Sequence, residues 1–217
     1  MVAQIVAVIA LSILGYADST LDRPVAVLGV VLVLVWSVEL AATAIASKRA
    51  GSGDVSADIG LSFSSIDLLG VPIGVAAQLG LLQVVYLPLQ SIWPDTFSQE
   101  SLEENARDLI EGVDGGAMIL LFVLIVAGAP VVEEIFYRGL LQRPWLGRVG
   151  SRSPLANAVV VVAVAAVFAL IHFRPVEYPG LFAFGLVVGA MAALTGRIGM
   201  SIVTHVAFNA TALALVV

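Results

Sequence analysis

GGAMILLFVLIVAGAPVVEEIFYRGLLQR, residues 115–143, begins as an unbroken apolar run and then places Glu133, Glu134 and Arg138 inside the same stretch. The run is too long for a strand and does not alternate, so it reads as a helix. A hydrocarbon core takes roughly 20 apolar residues per helix, and residues 115–132 come close to that before the first charge. Six more segments have the same character, at about 2–17, 24–46, 68–90, 155–172, 179–195 and 198–217. The one at 68–90 is the weakest, because Pro72 and Pro88 interrupt it. The expected fold is all-α: a polytopic transmembrane helical bundle of about seven helices, forming one membrane domain over residues 1–217. No internal repeat and no low-complexity tract is visible.

Composition supports a bilayer as the solvent. Of 217 residues, 60% are hydrophobic and only 12% are charged, with a mean hydropathy of +1.05. A soluble domain carries about 25% charge. The absence of cysteine excludes disulfides, thiol catalysis and Cys-ligated zinc. The net charge of −6 and the lack of a basic patch give no reason to expect a nucleic-acid partner. The N-terminus lacks the Lys or Arg of a signal-peptide n-region, so cleavage there is not expected.

Orientation follows from the basic residues. With the N-terminus inside, inner loops hold Lys48, Arg49, Arg143, Arg148, Arg152 and Arg197, and outer loops hold Arg23, Arg107 and Arg174. That excess favours a cytoplasmic N-terminus. The expected location is integral and multi-pass, in the plasma membrane of a prokaryote. Between the third and fourth apolar segments lies a short amphipathic acidic helix. Ser101 and Glu104 fit a capping box at its start. Leu102, Ala106, Leu109 and Val113 then form the face expected to pack on the bundle. Gly185 and Gly189 form a GxxxG spacing that permits close helix packing. Glu39 is expected at the inner interface.

The informative residues are polar ones in apolar helices, each costing about 2.5–3.5 kcal/mol at mid-bilayer even on the lenient scale. Glu134 and Arg138 are four apart on one helix face and can pair. Glu133 points about 100° away, and a carboxylate without that partner suits a general base. The competing reading ends the helix near residue 132 and puts these charges among the headgroups. Two further blocks argue against it. Phe168-Ala-Leu-Ile-His172 ends the fifth segment, and His205-Val-Ala-Phe-Asn209 lies in the seventh. Both histidines of the chain therefore fall in apolar helices. At 1.5 Å per residue, His205 and Asn209 lie roughly 10 and 17 Å beyond Ile198, and Glu133 roughly 15 Å before Arg143. His172 fits this level less well, because a helix counted from Leu155 carries it further out.

Glu133-Glu134-x-x-x-Arg138, Phe168-x-x-x-His172 and His205-x-x-x-Asn209, with Pro130 before the first block and Gly139 after it, resemble the CPBP family of intramembrane proteases, the Abi or type II CAAX-endopeptidase group. The resemblance covers residues 129–211. It implies catalytic helices over residues 115–217 carried on N-terminal helices over residues 1–90. It implies an endopeptidase in which Glu133, assisted by His172, activates a water, His205 and Asn209 stabilise the oxyanion, and Glu134 with Arg138 braces the site. The substrate it implies is a membrane-associated or lipidated peptide or protein in the bilayer. Glu133, His172 and His205 could also form a zinc site of the His₂Glu type. No HExxH motif is present, and a glutamate-activated water needs no metal, so the reading favours no required cofactor. A proton-coupled transporter is the main competing function, since intramembrane Glu, Arg and His also serve proton relays. The polar residues nevertheless cluster in the second half, with no paired repeat. A non-catalytic membrane scaffold is the third reading.

Overall fold

The computed structural model describes residues 2–16, 24–149 and 153–217, and among these the regular structure is helical, with no strand. Nine helices follow one another among the described residues: α1 Val2–Ile13, α2 Val25–Ala50, α3 Val55–Ile59, α4 Ser65–Ile92, α5 Gln99–Ile110, α6 Gly115–Arg148, α7 Pro154–Leu170, α8 Pro175–Thr195 and α9 Gly199–Ala214. The seven apolar segments become α1, α2, α4 and α6 to α9. Four of them, α2, α4, α6 and α8, are long and apolar enough to cross a membrane. Helices α7 and α9 are apolar but shorter, at 17 and 16 residues. The chain is an integral, multi-pass membrane protein. Arg23 and Arg152, used above for orientation, lie outside the described residues.

The small helix α3 is an addition. Asp54 accepts the Ala57 N–H at its start, and Gly60 closes it in the left-handed region at φ +71°. Helix α5 is the expected amphipathic acidic helix, but it starts earlier than the Ser101–Glu104 box placed it. Its N-cap is Ser98, whose hydroxyl accepts the Ser101 N–H at 3.1 Å and so consumes the donor a cap at Ser101 would have left for its own turn. Leu109, Ile110 and Val113 pack against Val25, Leu121 and Leu124, which fastens this segment to α2 and α6. Glu103 and Arg107 pair on its exposed face.

Two features position α9, which carries His205 and Asn209. The first is a pair of glycines the sequence reading passed over, Gly70 and Gly74 on α4. A Cβ at Gly74 would lie 2.3 Å from the Thr204 carbonyl oxygen and 2.8 Å from Ala207, and one at Gly70 would lie 2.8 Å from the Thr204 hydroxyl. Backbone meets backbone here, so the neighbour cannot yield. We therefore expect Gly74→Val to displace α9 and abolish the folded yield in detergent, whereas Gly80→Val, where no atom lies within 4 Å of the added Cβ, leaves the yield unchanged. The second feature is an apolar core of Ala77, Tyr137, Val164, Phe168, Phe184, Val188 and Phe208. It draws on α4, α6, α7, α8 and α9 at once, and its rings form the wall behind the polar residues.

Helix α6 is not regular. It is α-helical at Gly115–Phe122 and Ala129–Glu133, and its turns widen to π geometry at Val123–Gly128 and Glu134–Gln142. Such widenings are concentrated at functional sites, and the second one starts at Glu134.

Candidate active site

The first polar block lies where α6 passes from α to π geometry. Glu134 and Arg138 have side chains that are 0% exposed, with Arg138 Nε 3.2 Å from Glu134 Oε2. Neither atom is in hydrogen-bonding orientation, so the contact is a charge pairing. The guanidinium is held on its other sides. Nη2 donates to the Gly185 carbonyl at 3.3 Å, and the group lies 4.6 Å from the centre of the Phe168 ring. One π-helical turn further, the Gln142 amide donates to the Gly189 carbonyl at 2.8 Å. The GxxxG pair on α8 thus has a role beyond packing. Two bare glycines bring their carbonyls within reach of two buried polar side chains.

The other oxygen of Glu134 meets α9. Glu134 Oε1 lies 2.9 Å from His205 Nδ1, and Glu133 Oε2 lies 3.9 Å from His205 Nε2. The two adjacent carboxylates therefore address opposite edges of one imidazole. Consecutive helical residues differ by about 100°, and this divergence lets them straddle the ring. Glu134, between Arg138 and His205, is enclosed, while Glu133 is 21% exposed and half-open. With Nδ1–H donated to Glu134, Nε2 is the atom of His205 left to act. Its ring is held edge-on by Phe168 and Phe184, at centroid distances of 5.9 and 5.0 Å.

His172 arrives by another route. Helix α7 ends at Leu170, and His172 lies in the turn beyond, its Nδ1 2.7 Å from the Phe168 carbonyl oxygen. Its ring packs edge-on to Phe168 at 4.9 Å, so one phenyl ring separates His172 from His205. Phe173 follows in the left-handed region at φ +54°, the only such non-glycine residue among those described. Held conformations of this kind cost about 1–3 kcal/mol and cluster at functional sites.

Asn209 is one turn along α9 from His205, and its Nδ2 donates to the Ile125 carbonyl at 2.9 Å. The reason lies in α6. In the first π segment the Ala129 N–H bonds to Leu124 O, five residues back. The next bond in that register would join residue 130 to Ile125 O, but residue 130 is proline and has no N–H. Asn209 supplies the missing donor. Pro130, noted in the sequence only as a flank of the block, thereby fixes the amide plane of Asn209.

Glu39, expected at the inner interface, is turned into the bundle: it is 6% exposed and within electrostatic range of Glu133 and Tyr137. Glu39, Thr43 and Ser47 are each four apart and all buried. This polar stripe on an apolar helix was the available signal. Potential metal ligands are less well gathered. Among the described residues no three His, Asp or Glu side chains form a metal-holding group, and one nitrogen of each histidine is already engaged. In both it is Nδ1 that is engaged, which leaves Nε2 open, and no step below is routed through a metal.

A family model described as Type II CAAX prenyl endopeptidase Rce1-like matches residues 115–211, which contain all three blocks. No curated protein and no solved structure matches the chain.

Proposed function

We propose, from the match of residues 115–211 to the Rce1-like type II CAAX prenyl endopeptidase model, that the chain is an intramembrane endopeptidase that hydrolyses a membrane-associated or lipidated peptide with a glutamate-activated water. The observation that carries this reading is the imidazole of His205 held between two adjacent carboxylates, one sealed and braced, the other half-open.

Glu133 takes a proton from water as the water oxygen bonds to the scissile carbonyl carbon, and His172 assists in orienting that water. The carbonyl oxygen becomes an oxyanion. His205 donates to it from Nε2, which requires hydrogen on both ring nitrogens. Before water gives up its proton, the ionised Glu133 and Glu134 balance Arg138 and a His205 carrying both ring hydrogens; after it, the four residues carry one positive charge opposite the oxyanion. Asn209 contributes the N–H not used on Ile125. The C–N bond breaks as Glu133 returns its proton to the leaving amine. The positions of His205 and Asn209 are set before reaction, by Glu134 and by the carbonyl that Pro130 orphans, and fixed donors of this kind usually supply the largest catalytic term.

The experiment is cleavage of a lipidated peptide by the purified protein in lipid, compared with Glu133→Gln; equal cleavage by both ends the proposal. Asn209→Ala should lower kcat about 10²–10³-fold and leave KM nearly unchanged, since the lost donor faces charge that exists only in the transition state. A rise in KM at constant kcat would instead place Asn209 in substrate binding. Lys48, Arg49, Arg143, Arg148 and Arg197 all lie at or beyond the ends of α2, α6 and α8, which line one cavity. The proposal puts that basic end on the cytoplasmic side.

A further inference from the structure

The basic end of the bundle encloses a cavity of about 540 Å³. Thr43 and Ser47 of α2, Asp58 of α3, Arg138, Gln142, Arg143 and Arg148 of α6, and Arg197 after α8 contribute its polar lining. Four guanidiniums thus face one carboxylate. That carboxylate is already satisfied. Asp58 accepts from the Ser47 hydroxyl and from the Ser52 N–H and hydroxyl, which hold it below the usual carboxyl range. The guanidiniums are only partly used. Arg197 pairs with Asp67 and Arg143 donates to the Gly196 carbonyl. Arg148 stacks 5.3 Å from the Trp145 ring centre. Two polar atoms of fully buried lining residues have no partner at all, Nη1 of Arg138 and Oε1 of Gln142. Both atoms are closed off from solvent, and Gln142 Oε1 lies against Gly189, so the residues that an occupant of the cavity can reach are Arg143, Arg148 and Arg197.

We propose that this cavity binds the phosphate group of an anionic phospholipid. Guanidinium forks match phosphate oxygens geometrically, and three of them, Arg143, Arg148 and Arg197, line one cavity beside the buried Arg138. The depth fits a headgroup. The cavity lies where the apolar stretches of α2, α6 and α8 end, and the exposed Trp145 with Arg148 stacked on it makes an anchor of the kind found at the membrane interface. Phosphatidylglycerol suits this lining: its phosphate faces Arg143 and Arg148, and its single negative charge is retained at the basic end of the bundle. The site lies behind the Glu134–Arg138 pair. This inference rests on the cavity and not on the peptidase reading, and its test does not measure cleavage.

The test uses the full chain in detergent, challenged with phosphatidylglycerol, phosphatidylcholine or inorganic phosphate, read by native mass spectrometry and by melting temperature. Wild-type protein should retain phosphatidylglycerol in preference to phosphatidylcholine and melt higher in its presence. Arg148→Gln and the pair Arg143→Gln/Arg148→Gln should lose that preference while melting like wild type without lipid. If the pair fails to fold, Arg148→Gln alone still decides the matter. Equal retention of the two lipids by wild type overturns the proposal, as does full retention of the preference in Arg148→Gln. A shift with inorganic phosphate and none with phosphatidylglycerol overturns the lipid as the source of the phosphate.

Discussion

Glu133→Gln should abolish turnover and leave substrate binding intact. The substitution keeps the side chain's size and its ability to accept a hydrogen bond, but removes the group that takes the proton from water. General bases contribute about 10²–10⁴-fold, and in the proposed mechanism the same carboxylate also returns the proton to the leaving amine, so the loss should reach at least the upper part of that range. His205 keeps its ring position, because Glu134, not Glu133, holds Nδ1 at 2.9 Å. The measurement is single-turnover cleavage of a lipidated peptide beside a competition assay for binding. Loss of binding in parallel with turnover would move Glu133 from the chemistry to substrate recognition. A chelator arm belongs in the same experiment: activity lost on chelation and regained with zinc would overturn the metal-free form of the mechanism. A proton-coupled transporter would cut no peptide in any arm.

Arg138→Ala should cost both the protein and its activity. The substitution leaves the Glu134 carboxylate fully enclosed with His205 as its remaining partner, and stranding one member of a buried pair typically costs about 3–5 kcal/mol. It also removes the bond to Gly185 O and the packing over Phe168. Expression and melting temperature should fall together with turnover. Neutralising both partners, as Arg138→Met with Glu134→Gln, should recover part of the protein level but not the activity, because the carboxylate that orients His205 is then gone. Arg138→Ala protein that expresses, melts and cleaves like wild type would show that the pair braces nothing.

The two variants separate roles that the sequence could assign only in outline. The apolar runs and their lengths are a local property, set by what a hydrocarbon core excludes. The number of apolar segments and the all-helical class were therefore legible directly. So was the pairing of Glu134 with Arg138, because residues four apart on a helix are neighbours whatever surrounds them. The three blocks were readable as a set through their spacing and order. The sequence did less well at the ends of elements, as with Ser98 in place of Ser101, where one hydroxyl decides which turn comes first.

Contacts between helices needed the tertiary structure. That Glu134 and Glu133 straddle His205 depends on the rotation of α9 against α6, which Gly70 and Gly74 permit by letting α4 approach the α9 backbone. The role of Asn209 depends on a π register in α6 that leaves Ile125 O facing a proline. Hydropathy does not encode that register. Glu39 is a related case: its distance from the helix end speaks only to depth, while its burial is decided by which face of α2 turns toward α6. Periodicity reports the face of one helix. Only the packed bundle reports what that face meets.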